Sequence, residues 1–155
     1  MAAQIATRVL QEYADRGVFR GFSPGPVHDG RSAFRLLWHR NREFTVTVDT
    51  HRGVIRCPLV LPQVPAHLYA QLKDFVRSRQ TDEVPAHRRI DPARAGAATG
   101  MRGGNVSVSL TVRDADYGYA TRKFVNLIHE IFLVFLPDHF EYQVAAFDLD
   151  PDNPI

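Results

Sequence analysis

The sequence predicts an α+β domain in which an antiparallel sheet of four to five strands is packed on one face by helices. Between residues 32 and 61, apolar and polar side chains alternate with period two, which is typical of half-buried strands. Residues 124–136 form the densest apolar run, and their first half repeats at helical spacing. The predicted order is helix, three strands, helix, long loop, strand and two helices.

Length and composition fit a single domain over residues 1–155. Hydrophobic residues make up 45% of the chain and charged residues 23%, which are ordinary values for a globular protein. The formal net charge is +2, so no strong global field points to a nucleic-acid partner. A single cysteine excludes an internal disulfide and fits a reducing compartment. Residues 1–17 carry charges within their apolar pattern, so we expect no signal peptide and a cytoplasmic location.

The first half of the chain is predicted from spacing and composition. Apolar residues recur at intervals of three and four over residues 3–16, which predicts the first helix. Residues 21–31 contain three glycines and two prolines and are predicted to form a loop. Three strands then follow at residues 32–39, 43–49 and 54–61.

The register of the first two strands follows from the facing of their aromatic residues. Period-two alternation fixes which side chains share a face. Placing Trp38 opposite Phe44 on the inner face puts the turn at residues 40–42. This register pairs Leu36 with Val46.

The second hairpin is predicted to turn at residues 50–53, which pairs Val48 with Ile55. Pro58 lies in the third strand and has no N–H to donate to a ladder. We therefore predict that this strand lies at an edge of the sheet near Pro58.

The chain then continues into a second helix and a long connection. Pro65 suits the first position of a helix, and the apolar spacing ends near Arg79. Residues 80–104 are predicted to be a long loop, with room for a short strand near residues 95–99. Residues 105–113 alternate cleanly and predict the next strand.

Helix caps and a polar tail are predicted for the last third of the chain. Asp114 or Asp116 can cap the central helix, which contains the apolar run 124–136. Asp138 and Glu141 have the spacing of a capping box for a short last helix. Residues 148–155 form an acidic tail that we expect to be loose.

The central helix has more apolar surface than an amphipathic helix needs. From Ile131 onwards its pattern leaves no polar side, and such a helix must be buried all round, by its own domain or by a partner. Thirteen residues are too few to cross a membrane, which takes about 20. We predict a partner interface from these residues: Phe132, Val134, Phe135, Leu136 and Phe140.

The order helix, three-strand meander, helix, strand and helix resembles the fold shared by the type III secretion chaperones and the YbjN-like bacterial proteins. The resemblance covers most of the chain and lies in element order, without a shared motif. It implies a small homodimer that binds other proteins and performs no catalysis. Our leading hypothesis is therefore a non-enzymatic, chaperone-like interaction module of the cytoplasm.

The alternative hypothesis is a domain that binds a small ligand or an anion. The predicted register places Arg35, Thr47 and Arg56 in one row on the outer face of the sheet. Arginine suits such a role because its guanidinium group matches carboxylate and phosphate oxygens. The long loop adds four more candidates: Arg88, Arg89, Arg94 and Arg102.

No motif in the sequence assembles a catalytic, metal or cofactor site. His129 and Glu130 begin a zinc-helix pattern, but Leu133 stands where the second histidine is needed. Cys57 falls on the inner face of a strand, where a cysteine usually acts as a small hydrophobic residue. An enzyme site built from dispersed residues would use these histidines: His39, His51, His87 and His129.

Overall fold

The computed structural model describes residues 2–148. This part of the chain forms four α-helices and six strands. They are numbered along the chain as α1 Ala2–Asp15, β1 Arg20–Pro24, β2 Arg31–Trp38, β3 Arg42–Asp49, β4 Val54–Leu61, α2 Ala66–Ser78, β5 Ala95–Arg102, β6 Asn105–Val112, α3 Tyr117–Glu130 and α4 Phe140–Phe147. Between α3 and α4 lie a π-helical segment, Ile131–Phe135, and a 3₁₀ turn, Leu136–Asp138.

The six strands form one antiparallel sheet in the order β1-β2-β3-β4-β6-β5. Helices α1 and α3 pack on each other, α3 packs on β4 and β6, and α2 packs on β5. The inner face of the sheet is buried beneath them, whereas its outer face carries exposed polar residues. The predicted α+β class is confirmed, but the sheet has six strands instead of four to five.

The two strands that the sequence did not clearly predict, β1 and β5, have weak sequence signals. Strand β1 lies where we predicted a loop, and most of its residues are exposed, so it shows no apolar alternation. Strand β5 lies within the predicted loop 80–104 and covers the suggested position 95–99. It is rich in alanine and glycine, which are depleted in strands.

The predicted register of β2 and β3 is wrong by two residues. Leu36 pairs with Phe44, and Trp38 pairs with Arg42. The turn is residues 39–41, and all three have positive φ angles of 40°, 66° and 58°. A shift of two residues keeps every side chain on its predicted face. The buried aromatic face is therefore as predicted, although its cross-strand partners differ.

Strand β4 is central, which contradicts the predicted edge at Pro58. Val48 pairs with Ile55 as predicted, and on its other side β4 pairs with β6. The ladder between β4 and β6 is irregular between Cys57 and Leu61. Pro58 lies in this irregular stretch, where the absence of its N–H does not require an edge.

One of the two predicted helix caps is present. Asp116 precedes α3, and its Oδ1 accepts a hydrogen bond from the Tyr119 N–H at 3.1 Å. The predicted capping box before α4 is absent, because His139 occupies the N-cap position and makes no side-chain cap hydrogen bond. The predicted tail lies outside the described residues except for Asp148. Among residues 2–148, no helix has the length and apolar character needed to cross a bilayer.

Candidate functional site

The π-helical segment buries most of the predicted partner interface within this chain. Phe132 and Phe135 are 8% and 7% exposed, and Leu136 is fully buried. These three residues therefore belong to the core and do not form an exposed interface. Val134 is 44% exposed and its neighbour Leu133 is 57% exposed. We call these two residues the apolar pair.

Buried and exposed residues alternate in pairs along this segment, which closes with a π-turn. The N–H of Leu136 donates to the carbonyl of Ile131, which is the five-residue spacing of a π-turn. On one side Phe132 packs its ring on His39, with the ring centroids 4.2 Å apart. Leu133 is the next residue and faces outwards. The apolar run is thus divided between the core and the surface.

A polar cluster lies where the β2–β3 turn meets α3, and we call it the His39 cluster: His39, Arg42 and His129. The ring centroids of the two histidines are 5.5 Å apart. The Arg42 guanidinium lies over the Phe132 and Phe147 rings, at 5.9 and 4.5 Å from their centroids. The cluster therefore joins the sheet to the π-helical segment and to α4.

Three polar atoms of the His39 cluster are buried without a hydrogen-bond partner in the described part of the chain: His39 Nε2, Arg42 Nη1 and His129 Nδ1. Burial, followed by unfavourable charge interactions with His129, Arg42 and Arg40, lowers the pKa of His39 from 6.5 to about 3. Burial also lowers the pKa of Arg42. Protonation of His39 would place a positive charge beside the guanidinium group of Arg42.

The structure thus brings together two of the four histidines considered for a dispersed enzyme site. His51 and His87 are exposed, and neither belongs to the cluster. A shallow cavity of about 220 Å³ reaches His39, but His129 is not part of its lining. Cys57 is also buried, which raises the pKa of its thiol to about 11, well away from the range of a reactive thiolate.

The arginines of the long loop do not converge on one site. Arg88 donates to Glu130 at 3.2 Å, and Arg89 donates to the Val84 carbonyl at 3.0 Å. Arg94 forms an ion pair with Asp116 at 2.5 Å and lies over the Tyr119 ring. Arg102 ends β5 and is exposed. Arg88 and Arg94 therefore connect the loop to α3 and its N-cap, whereas Arg89 makes its contact within the loop.

The outer face of the sheet holds a cleft that includes two of the three predicted residues. Thr47 pairs with Arg56, and both line the cleft together with Arg31 and Arg52. Arg35 does not belong to it. The corrected register places Arg35 opposite Thr45, and its Nε lies 3.6 Å from the Glu43 carboxylate.

The sequence alone could not identify two of these cleft arginines. Arg31 and Arg52 lie in or beside turns, where exposed arginines are common. Only the register of three strands brings them next to Arg56. Arg42 was missed for a similar reason, because the predicted turn at residues 40–42 made it a solvent-facing loop residue.

Comparison with known proteins adds no assignment. The chain matches no protein-family model, no curated protein and no solved structure. The candidate surfaces are therefore interpreted from their own geometry.

Proposed function

We propose that this chain is a non-catalytic, chaperone-like protein-interaction module of the cytoplasm that acts as a homodimer. The apolar pair is the observation that carries the proposal. Leu133 and Val134 are adjacent, belong to the most apolar segment of the sequence, and are both more than 40% exposed. Contiguous exposed apolar side chains are typical of an interface, whereas single exposed apolar residues occur on most protein surfaces.

The order of elements supports the same proposal. The type III secretion chaperones and YbjN-like proteins have two strands after the second helix, and here β5 and β6 follow α2. Strand β1 is additional to their three-strand meander. Since likeness of fold is a weak argument for function, the element order ranks below the exposed apolar pair.

Both edges of the sheet are partly blocked, which favours an interface on the helices. On β5, Ala97 donates to the Gln80 side chain at 2.9 Å, and Ala95 donates to the Asp91 carbonyl at 3.0 Å. The opposite edge strand, β1, is short, has an irregular register and contains Pro24. Proteins use such features to prevent pairing between sheet edges.

The test is the oligomeric state of the purified chain, measured by sedimentation or light scattering over a range of concentrations. We expect the mass of two chains, and we expect the double substitution Leu133→Glu and Val134→Glu to give the mass of one. Because both side chains are exposed, the variant should keep its fold, which circular dichroism and the melting temperature can verify.

Val27→Glu is the matched control, since Val27 is 60% exposed but has no second large apolar side chain exposed beside it in sequence. This control should leave the dimer intact. A wild-type chain that is monomeric at every concentration would refute the proposal. A dimer that persists in the double variant would refute the assigned surface.

A further inference from the structure

An open cleft of about 600 Å³ lies on the outer face of the sheet, between the loop before β2 and the β3–β4 turn. This volume is within the range of small-molecule sites. We propose that the cleft binds a small organic carboxylate that has an apolar body. This inference goes beyond the proposed interaction function, because the cleft and the apolar pair share no residue.

The charge of the cleft selects an anion. Its lining includes Arg31, Arg52 and Arg56 but only one acidic residue, Asp49. The N–H of Arg52 and that of His51 donate to Asp49, and together with nearby Arg31 they lower its pKa, which keeps this carboxylate ionised. Asp49 offsets one guanidinium group, with its Oδ2 at 3.5 Å from Arg31 Nε. Two positive charges are left to receive a ligand, and guanidinium groups match a carboxylate with paired hydrogen bonds.

Apolar side chains also line the cleft, together with Ser32 and Thr47, and this apolar surface argues against an inorganic ion as the natural occupant. Pro26, Ala33 and Val54 contribute apolar surface to the cleft beside the arginines. Binding sites for small molecules commonly combine an apolar surface with a few polar groups that fix orientation. A ligand with a carboxylate and a hydrocarbon part would use both features. An inorganic phosphate would use only the charge.

The walls of the cleft are fixed to each other before any ligand arrives. The N–H and the hydroxyl of Thr50 both donate to the Gly30 carbonyl, at 2.8 and 2.9 Å. Asp49 Oδ1 accepts from the N–H groups of His51 and Arg52 at 3.0 and 3.1 Å. The Thr50 bonds join the loop before β2 to the β3–β4 turn, and the Asp49 bonds order the turn itself. A preformed site loses less conformational entropy on binding.

Titration of the full chain with octanoate, followed by calorimetry or by amide chemical shifts, tests the proposal. We expect saturable binding that Arg52→Ala and Arg56→Ala each weaken by about tenfold, the usual loss of a charge-assisted hydrogen bond. Octanamide, which lacks the charge, and inorganic phosphate, which lacks the apolar body, should both bind more weakly than octanoate.

Arg35→Ala is the matched control, because Arg35 is exposed on the same face of the sheet but lies outside the cleft. It should leave octanoate affinity unchanged. Binding that does not saturate would overturn the proposal, and so would an equal loss in Arg35→Ala and Arg56→Ala. Phosphate binding as tight as octanoate binding would also overturn it, since the apolar lining would then contribute nothing. The sizing experiment on Leu133 and Val134 can succeed or fail independently.

Discussion

His39 is expected to make the folded chain sensitive to acid. In the unfolded chain a histidine takes up a proton near pH 6.5, whereas burial lowers the pKa of His39 in the folded chain to about 3. Between these two values the unfolded state binds more protons than the folded state. The free energy of unfolding must therefore fall as the pH drops below 6.5, and the full contribution of His39 is present only above that pH.

The size of this effect can be worked out from the shift. One pKa unit corresponds to about 1.4 kcal/mol, so the difference between 6.5 and about 3 sets a ceiling of about 5 kcal/mol. Between neutral pH and about pH 4.5 only part of this ceiling is reached, and we expect a loss of about 2–3 kcal/mol from His39 alone. For a domain of this length, that is a sizeable fraction of the total stability.

The perturbation that isolates this effect is His39→Asn. Asparagine cannot be protonated in this range, and it tolerates the positive φ of 40° at this position. Loss of ring stacking on Phe132 will lower stability at every pH. The informative quantity is therefore the difference between the free energies of unfolding at the two pH values, measured by urea denaturation.

We expect this pH difference to shrink by about 2–3 kcal/mol in His39→Asn. The exposed His67→Asn should leave it unchanged, because His67 is not buried. If His39→Asn and the wild type lose the same free energy between the two pH values, the stacked histidine is not the source of the acid sensitivity.

The N-cap of α3 and the glycine in the loop before β2 give two further predictions. Asp116→Ala removes the cap of α3 and the ion pair with Arg94, so we expect a loss of about 0.5–2 kcal/mol in thermal unfolding, and Asp116→Asn should restore the cap's share. Gly30→Ala should cost about 1–2 kcal/mol and weaken octanoate binding, because Gly30 has φ +73° and an added Cβ would lie 2.7 Å from the His51 ring. Gly17→Ala, at φ +78° with open space around it, separates the backbone strain from this clash, and equal losses in the two variants would contradict the packing argument.

The predicted register of β2 and β3 was wrong because alternation with period two fixes the face of each side chain but not its partner on the neighbouring strand. Phe44 and Val46 are both apolar and both face inwards, so either can lie opposite Leu36 without exposing an apolar side chain. The choice is made by the turn at residues 39–41, whose positive φ angles are adopted by His, Arg and Asn without a glycine. Such a turn has no clear sequence signature.

The candidate cleft was predictable only in part, for a related reason. Thr47 and Arg56 were correctly placed on the outer face, because facing survives a register shift of two. Arg35 was placed in their row by the wrong register, and Ala33 stands there instead. A site that combines residues from several strands can be predicted only if the strand register is known. The α+β class needs only the knowledge of which side chains point into the core.

For the apolar run that ends in Leu136, the sequence pattern did not show which side chains would be buried and which exposed. Six consecutive apolar residues from Ile131 predict a helix that is buried on every side, by its own domain or by a partner. The spacing of the buried residues meets this requirement within one chain, because positions i, i+1, i+4 and i+5 adjoin each other around a helix of about 3.6 residues per turn. The residues on this face pack inside the chain, namely Ile131, Phe132, Phe135 and Leu136, and of the six only Leu133 and Val134 are exposed. The need for a partner is thus reduced from a whole helix to two side chains, and substitution of those two residues tests it directly.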